Sequence, residues 1–269
     1  FVALWAAGCL SSDALIRGSD ARGRFMTESA PDEAGTMAAI DADVPTLKSL
    51  ISDLDITFAN MNAPKQTVIS GATAVVDKAV SRCEEHSLRA RRLPVACAFH
   101  SPLVAPARER LAEFLRELPI DAPQLEVFSN STADAYPHDA ESIVQILGDH
   151  LVSPVEFVDQ ITTMYERGAR LFIEVGPRNV LTGLVSRILG DRPHLCVPLD
   201  QTGRPGLTQF LHGIAALVTE GVDLDLDRLF DGRNVERIDL SKLDSTTGNP
   251  QFSPTTWLVN GGGVRPVQA

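Results

Sequence analysis

The chain is predicted to adopt an α/β fold with a mainly parallel sheet, and three observations lead there. After residue 100, helical segments alternate with short apolar strands, as in parallel-sheet proteins. Between residues 36 and 100 the order is strand, helix, strand, strand, helix, strand, which is the split pattern of a ferredoxin-like (βαββαβ) subdomain. Beyond residue 221 the apolar periodicity stops. The expected organisation is a large subdomain at 1–35 and 101–221, an inserted ferredoxin-like small subdomain at 36–100, and a linker with a flexible tail at 222–269.

The elements follow in order. Residues 1–7 are apolar and Gly8 closes them as a helix C-cap would. Ser11, Ser12 and Asp13 offer N-cap side chains to a helix over 14–28, which carries Arg17, Arg22 and Arg24. Strands are expected at 37–41, 56–60, 66–70 and 91–99, with helices at 44–54, opened by Pro45, and 74–85. After the break at Ser101-Pro102 come a helix at 103–118, a strand at 125–129 and helices at 140–149 and 155–167. A strand at 171–175, a helix at 179–189, a strand at 195–198 and a helix at 207–220 complete the alternation. Residues 223–231 are acidic and 245–253 are polar with Gly and Pro. Trp257-Leu-Val offers the apolar anchors before Gly261-Gly-Gly263.

Composition narrows the function classes. The chain has 269 residues, 44% of them hydrophobic, enough for one or two cores. A net charge of -11 argues against non-specific binding to nucleic acid or to an anionic membrane. No run of about 18 apolar residues is present, so no bilayer-crossing helix is expected. Nothing near residue 1 has the basic region and cleavage site of a signal peptide, and a cytoplasmic location is expected. The four cysteines, Cys9, Cys83, Cys97 and Cys196, are scattered, with no metal-ligand spacing and no C-x-x-C pair. They read as free thiols, and Cys97 as a small buried hydrophobe.

The stretch that carries chemistry is Val95-Ala-Cys-Ala-Phe-His100-Ser-Pro-Leu-Val104. A run of small apolar residues delivers one histidine to a Ser-Pro turn, the way a strand end presents a general base. An absence accompanies it: no G-x-S-x-G nucleophile frame occurs in the chain.

Five motifs in order and in register carry a resemblance over about residues 1–200: Val2-Ala-Leu-Trp-Ala-Ala-Gly8, Ala21-Arg22-Gly-Arg-Phe-Met26, Asn62-Ala-Pro-Lys-Gln-Thr-Val-Ile-Ser-Gly71, Ala98-Phe-His-Ser-Pro-Leu103 and Glu174-Val-Gly-Pro177. The chain resembles the malonyl-CoA:acyl carrier protein transacylase family, and more closely the acyltransferase domains of type I polyketide synthases and polyunsaturated fatty-acid synthases. The tail ending Ser253-Pro-Thr-Thr-Trp-Leu-Val-Asn260-Gly-Gly is similar to the segment that follows such domains in multidomain synthases.

The resemblance implies a hydrolase-like large subdomain and transfer of a malonyl group from CoA to the phosphopantetheine thiol of an acyl carrier protein through an acyl-serine. The family's serine, in G-H-S-x-G-E, would lie about four residues before Phe1, on a strand-to-helix elbow. The chain is therefore expected to be cut just after its nucleophile and to be inactive alone. His100 matches the catalytic base. His150 matches the residue whose backbone carbonyl orients that base, and its side chain is expected at the surface. Arg22 matches the arginine that grips the malonyl carboxylate through paired charge-assisted hydrogen bonds. Arg17 and Arg24 read as solvated charges. Phe99, in Cys97-Ala-Phe-His100, would crowd an α-methyl branch and favour malonyl; Asn62 would lie near the acyl pocket. Gly176-Pro177 reads as a structural turn. No bound cofactor and no metal are implied; the partners implied are malonyl-CoA, an acyl carrier protein and an adjacent ketosynthase. The alternatives are a non-catalytic scaffold of a multidomain synthase, which would need neither Arg22 nor His100, and a serine esterase, which would need an acid to orient the histidine.

Overall fold

The computed structural model describes residues 1–28, 35–95, 97–233, 257–260 and 263–266. The chain forms two compact units, Phe1–Glu220 and Gly221–Ala269. In the first, helix α1 (Val2–Ala6) gives way to Gly8, whose φ of +75° turns the chain. Helix α2 (Ser12–Glu28) starts where the Ser11 hydroxyl accepts the Ala14 N–H at 3.1 Å, an N-cap bond. Its buried residues Ala14, Gly18, Ala21 and Phe25 recur at helical spacing, so one stripe faces the core and Arg22 sits beside it.

Strand β1 (Thr36–Ile40), helix α3 (Val44–Ile51), strands β2 (Thr57–Ala63) and β3 (Gln66–Gly71), helix α4 (Thr73–Glu85) and strand β4 (Ala90–Arg92) follow in the expected order. The four strands form one antiparallel sheet, β2-β3-β1-β4. Asp43 caps α3 by accepting the Thr46 N–H at 2.8 Å, with Pro45 in the first turn. Ile40, Leu47, Ile51, Ile69, Val76 and Cys83 close the core between sheet and helices. Each large aliphatic side chain buried there contributes about 1.5–3 kcal/mol. Gly35 is fixed by geometry: its φ is +69°, and an added Cβ would lie 2.5 Å from the Gly71 carbonyl oxygen and 2.8 Å from the Ala98 Cβ.

The strand expected over 91–99 ends at Arg92. Pro94 has no N–H to donate to a ladder, so the chain leaves the sheet as irregular backbone and a turn. A single turn of 3-10 helix (Pro102–Val104), capped by Ser101, precedes helix α5 (Ala105–Arg116). The strand expected over 125–129 shrinks to β5 (Phe128–Ser129), paired antiparallel with β6 (Asp134–Ala135), while Leu125 stays 65% exposed. Helix α6 (Ala140–Asp149) packs Ile143, Val144 and Leu147 against Leu111 and Leu115 of α5 and Leu4, Ala21 and Phe25.

Helix α7 (Phe157–Glu166) leads to strand β7 (Leu171–Glu174), helix α8 (Val180–Leu189), strand β8 (Leu195–Pro198) and helix α9 (Gly206–Thr219). β7 and β8 pair in parallel, and among the described strands they are the parallel pair. The Glu174 carboxylate accepts the Leu181 and Thr182 N–H groups at 2.9 and 2.7 Å, filling the open donors of α8's first turn. Glu174-Val-Gly-Pro177 thus has a local structural use. No helix among the described residues is long and apolar enough to cross a membrane.

The second unit holds a 3-10 helix (Leu226–Phe230) and strands β9 (Trp257–Asn260) and β10 (Gly263–Pro266), which pair antiparallel. Both strands fall within 222–269, the stretch that the sequence reads as a linker with a flexible tail. The polar stretch expected at 245–253 and Gly261 lie outside the described residues.

Candidate active site

His100 is positioned by backbone. Its φ of +58° is left-handed, a conformation uncommon outside glycine, costing about 1–3 kcal/mol when a fold imposes it. The imposing element is the C-terminal end of α6. Helix ends leave carbonyls without intrahelical partners, and here they turn to one residue. The His100 N–H donates to Leu151 O at 3.1 Å, and the ring Nδ1 lies 3.0 Å from both His150 O and Ser153 O.

Both of those oxygens only accept, so Nδ1 carries the proton and the Nε2 lone pair is left for a proton. Among the described residues no hydrogen bond engages His100 Nε2. Burial pushes the His100 pKa below the usual histidine range; the Ser153 and His150 carbonyls oppose this, and the charge on Arg22 adds to it. Near neutral pH the ring is therefore an unprotonated base. The same 150–155 segment is tied to the four-stranded sheet: Val155 N–H donates to Ala59 O at 2.8 Å, and Met61 N–H to Val155 O at 2.9 Å.

Arg22 is half-buried, and burial lowers its pKa; the acidic group that opposes this is the Cys97 thiol. No ion pair or hydrogen bond among the described residues engages it, so its charge stands uncompensated in a desolvated place. Arg17 and Arg24, by contrast, make surface pairs with Asp13 and Asp20, as solvated charges do. Cys97 is 4% exposed, and burial raises its thiol pKa while Arg22 lowers it.

Arg22 and His150 line one cleft of about 330 Å³ together with Phe128, Asn130, Tyr136 and Gln160. The His150 side chain is not the surface group expected. It is partly buried, its Nε2 is sealed from solvent without a hydrogen-bond partner, and its ring meets His100 edge-on at 5.2 Å. The cause is register: residue 150 lies three and seven positions after Leu147 and Ile143, on the buried stripe of α6.

Phe99 and Asn62 do not line this cleft. Phe99 packs where the helical core meets the apolar group of Met37, Ala59 and Val68. Asn62 sits at an irregularity of β2, between the pairs Met61–Thr67 and Ala63–Gln66, where a bulge re-aims side chains.

Gln160, Asn130 and Tyr136 are cleft residues that the sequence does not single out. The Gln160 amide donates to Phe128 O at 3.2 Å, and Tyr136 shares a hydrogen bond with Ser129. The available signal was the switch from apolar to polar residues after Phe128, at the end of a strand, where α/β proteins place their sites. Among the described residues no group of three or more His, Cys, Asp or Glu side chains could hold a metal ion.

The family model for the acyl transferase domain matches residues 1–223. A polyunsaturated fatty acid synthase subunit of Thraustochytrium sp. is 32% identical over 92% of this chain and 9% of its own length. The malonyl CoA-acyl carrier protein transacylase of Bacillus subtilis is 37% identical over 70% of this chain and 61% of its own length. The chain thus spans less than two thirds of these relatives. The crystal structure of the acyltransferase domain from the second module of the salinomycin polyketide synthase superposes with a TM-score of 0.75 at 31% identity, covering 84% of this chain and 53% of that one. By the family model and by fold, the chain belongs to the acyl transferase domain family.

Proposed function

We propose that this chain is the base- and acyl-binding part of an acyltransferase that moves malonyl from CoA to the phosphopantetheine thiol of an acyl carrier protein. The carrying observation is His100, with Nδ1 held by two carbonyls and Nε2 unengaged. In this reading the nucleophile is a serine outside these 269 residues. His100 Nε2 takes the serine proton as the hydroxyl attacks the thioester carbonyl. The imidazolium that forms is stabilised by the carbonyls at the end of α6, the negative pole of that helix. It returns the proton to the departing CoA sulfur.

The carrier thiol then gives its proton to Nε2 and attacks the ester, and His100 reprotonates the serine. Arg22 holds the malonyl carboxylate, which supplies the anion that its uncompensated charge lacks. In the same reading Phe99, next to His100, disfavours an α-branch and Asn62 borders the acyl pocket, although neither lines the cleft of Arg22 and His150. The division into a large subdomain, a small subdomain at 36–100 and a linker after 221 belongs to the same reading, as does an adjacent ketosynthase. The name of the Bacillus subtilis relative supports the substrate and carrier.

The coding sequence immediately before Phe1 tests this first. Gly-His-Ser-x-Gly-Glu there supports the mechanism; a frame without the serine ends it. These 269 residues alone are expected to acquire no malonyl ester, read by intact mass after incubation with malonyl-CoA. A stoichiometric adduct would overturn the assignment of the nucleophile.

A further inference from the structure

Among the described residues, two buried side-chain polar atoms have no hydrogen-bond partner: Ser70 Oγ, within the four-stranded sheet, and His150 Nε2. A buried polar atom left unpaired is unfavourable, and such atoms are few in folded proteins. His150 Nε2 differs from Ser70 in its setting, because the residue lines the same cleft as Arg22. The Gln160 amide of that cleft spends one N–H on Phe128 O. The His150 ring lies edge-on to His100 at an interplanar angle of 72°, and the terminal torsion of a histidine is broad, so a turn of the ring brings the closed-off Nε2 to the cleft when a ligand enters.

Resting on the acyl-transfer reading above, we infer that His150 Nε2–H donates a hydrogen bond to the acyl carboxylate held by Arg22, making His150 a second determinant of selectivity for carboxylated over neutral acyl thioesters. Burial, then His100 and Arg22, push the His150 pKa down to about 4, so the ring is neutral at pH 7 and does not repel Arg22. A neutral ring beside a guanidinium can share one carboxylate with it: Arg22 supplies the charge and Nε2–H a direction. One residue then has two uses. Its carbonyl orients the base, and its ring reads the substrate.

The test is equilibrium binding to the full-length protein, using malonyl- and acetyl-CoA analogues in which carbon replaces the thioester sulfur. His150→Phe keeps the ring volume and the backbone carbonyl. It is expected to weaken the malonyl analogue about tenfold while leaving the acetyl analogue unchanged. His150→Gln, which restores an amide donor, is expected to recover most of the loss. An unchanged malonyl-to-acetyl ratio in His150→Phe overturns the inference, and so does an equal loss for both ligands. Arg22→Ala separates the two layers of the argument: if it too leaves the ratio unchanged, the carboxylate site itself is wrong. Independently of any variant, the ¹⁵N shift of His150 Nε2 is expected to move on adding the malonyl analogue and not the acetyl one. Identical responses to both would overturn the inference even if no variant folds.

Discussion

His100 and Arg22 serve one proposed reaction from opposite states of satisfaction. His100 is held on one side by three backbone contacts from residues 150–153 and has one nitrogen open. Arg22 is placed on a helix beside a buried stripe and makes no ion pair among the described residues. A base must be aimed before substrate arrives, so its environment is complete. A carboxylate anchor gains most from charge that only the ligand neutralises, so its environment is left incomplete.

The largest expected effect lies on the satisfied side. His100→Ala is expected to lower malonyl transfer in the full-length protein by about 10³-fold or more, with little change in malonyl-CoA binding. A loss confined to binding would break the comparison. Next comes the unsatisfied side. Arg22→Ala is expected to cost about 10²-fold in kcat/KM for malonyl-CoA and little for acetyl-CoA, with Arg22→Lys in between because ammonium cannot make the paired contact. Steady-state kinetics with both thioesters would show it, and equal losses would remove the anchor role.

A third effect falls on the turn beneath the His100 loop. Gly35→Ala is expected to destabilise the fold by about 2–3 kcal/mol, because φ is positive and the new Cβ meets the Gly71 carbonyl and Ala98. A thermal midpoint that does not fall would show that this turn can relax.

The smallest effect is in pH. His150 has a folded-state pKa of about 4, against 6.5 for an unperturbed histidine, so the unfolded chain binds the extra proton first. Stability therefore falls as pH drops from about 6.5 towards 4, and His150→Gln removes that part of the loss. At pH 5.5 the variant is expected to gain on the order of 1–2 kcal/mol relative to its difference from wild type at pH 7. Parallel pH profiles would mean that the ring is more solvated than its placement implies.

Legibility followed the same divide. Period and capping carry the four-stranded sheet and its helices: Val76, Ala79 and Cys83 recur on one face of α4, and Asp43-Val-Pro45 announces α3. Arg22 and His100 stand in motifs whose letters can be read. What could not be read were features set by tertiary partners. Residues 93–99 look apolar enough for a strand, yet Pro94 and the left-handed φ of His100 send them elsewhere. The antiparallel pairing of β9 with β10 depends on partners across a Gly-rich string that reads as loose. The His150 ring was legible in part, since helical register from Ile143 and Leu147 points it inward, but Asp149-His150 looks like an ordinary polar helix end.

A base aimed by main-chain oxygens has a history that letters record poorly. For the aim of the base alone, the side chains from 150 to 153 are immaterial as long as the backbone path keeps both oxygens 3.0 Å from Nδ1. No acidic third member of a triad would then appear in the string, however well the imidazole is aligned. The orienting group of this site is inherited as a shape, the way one helix ends.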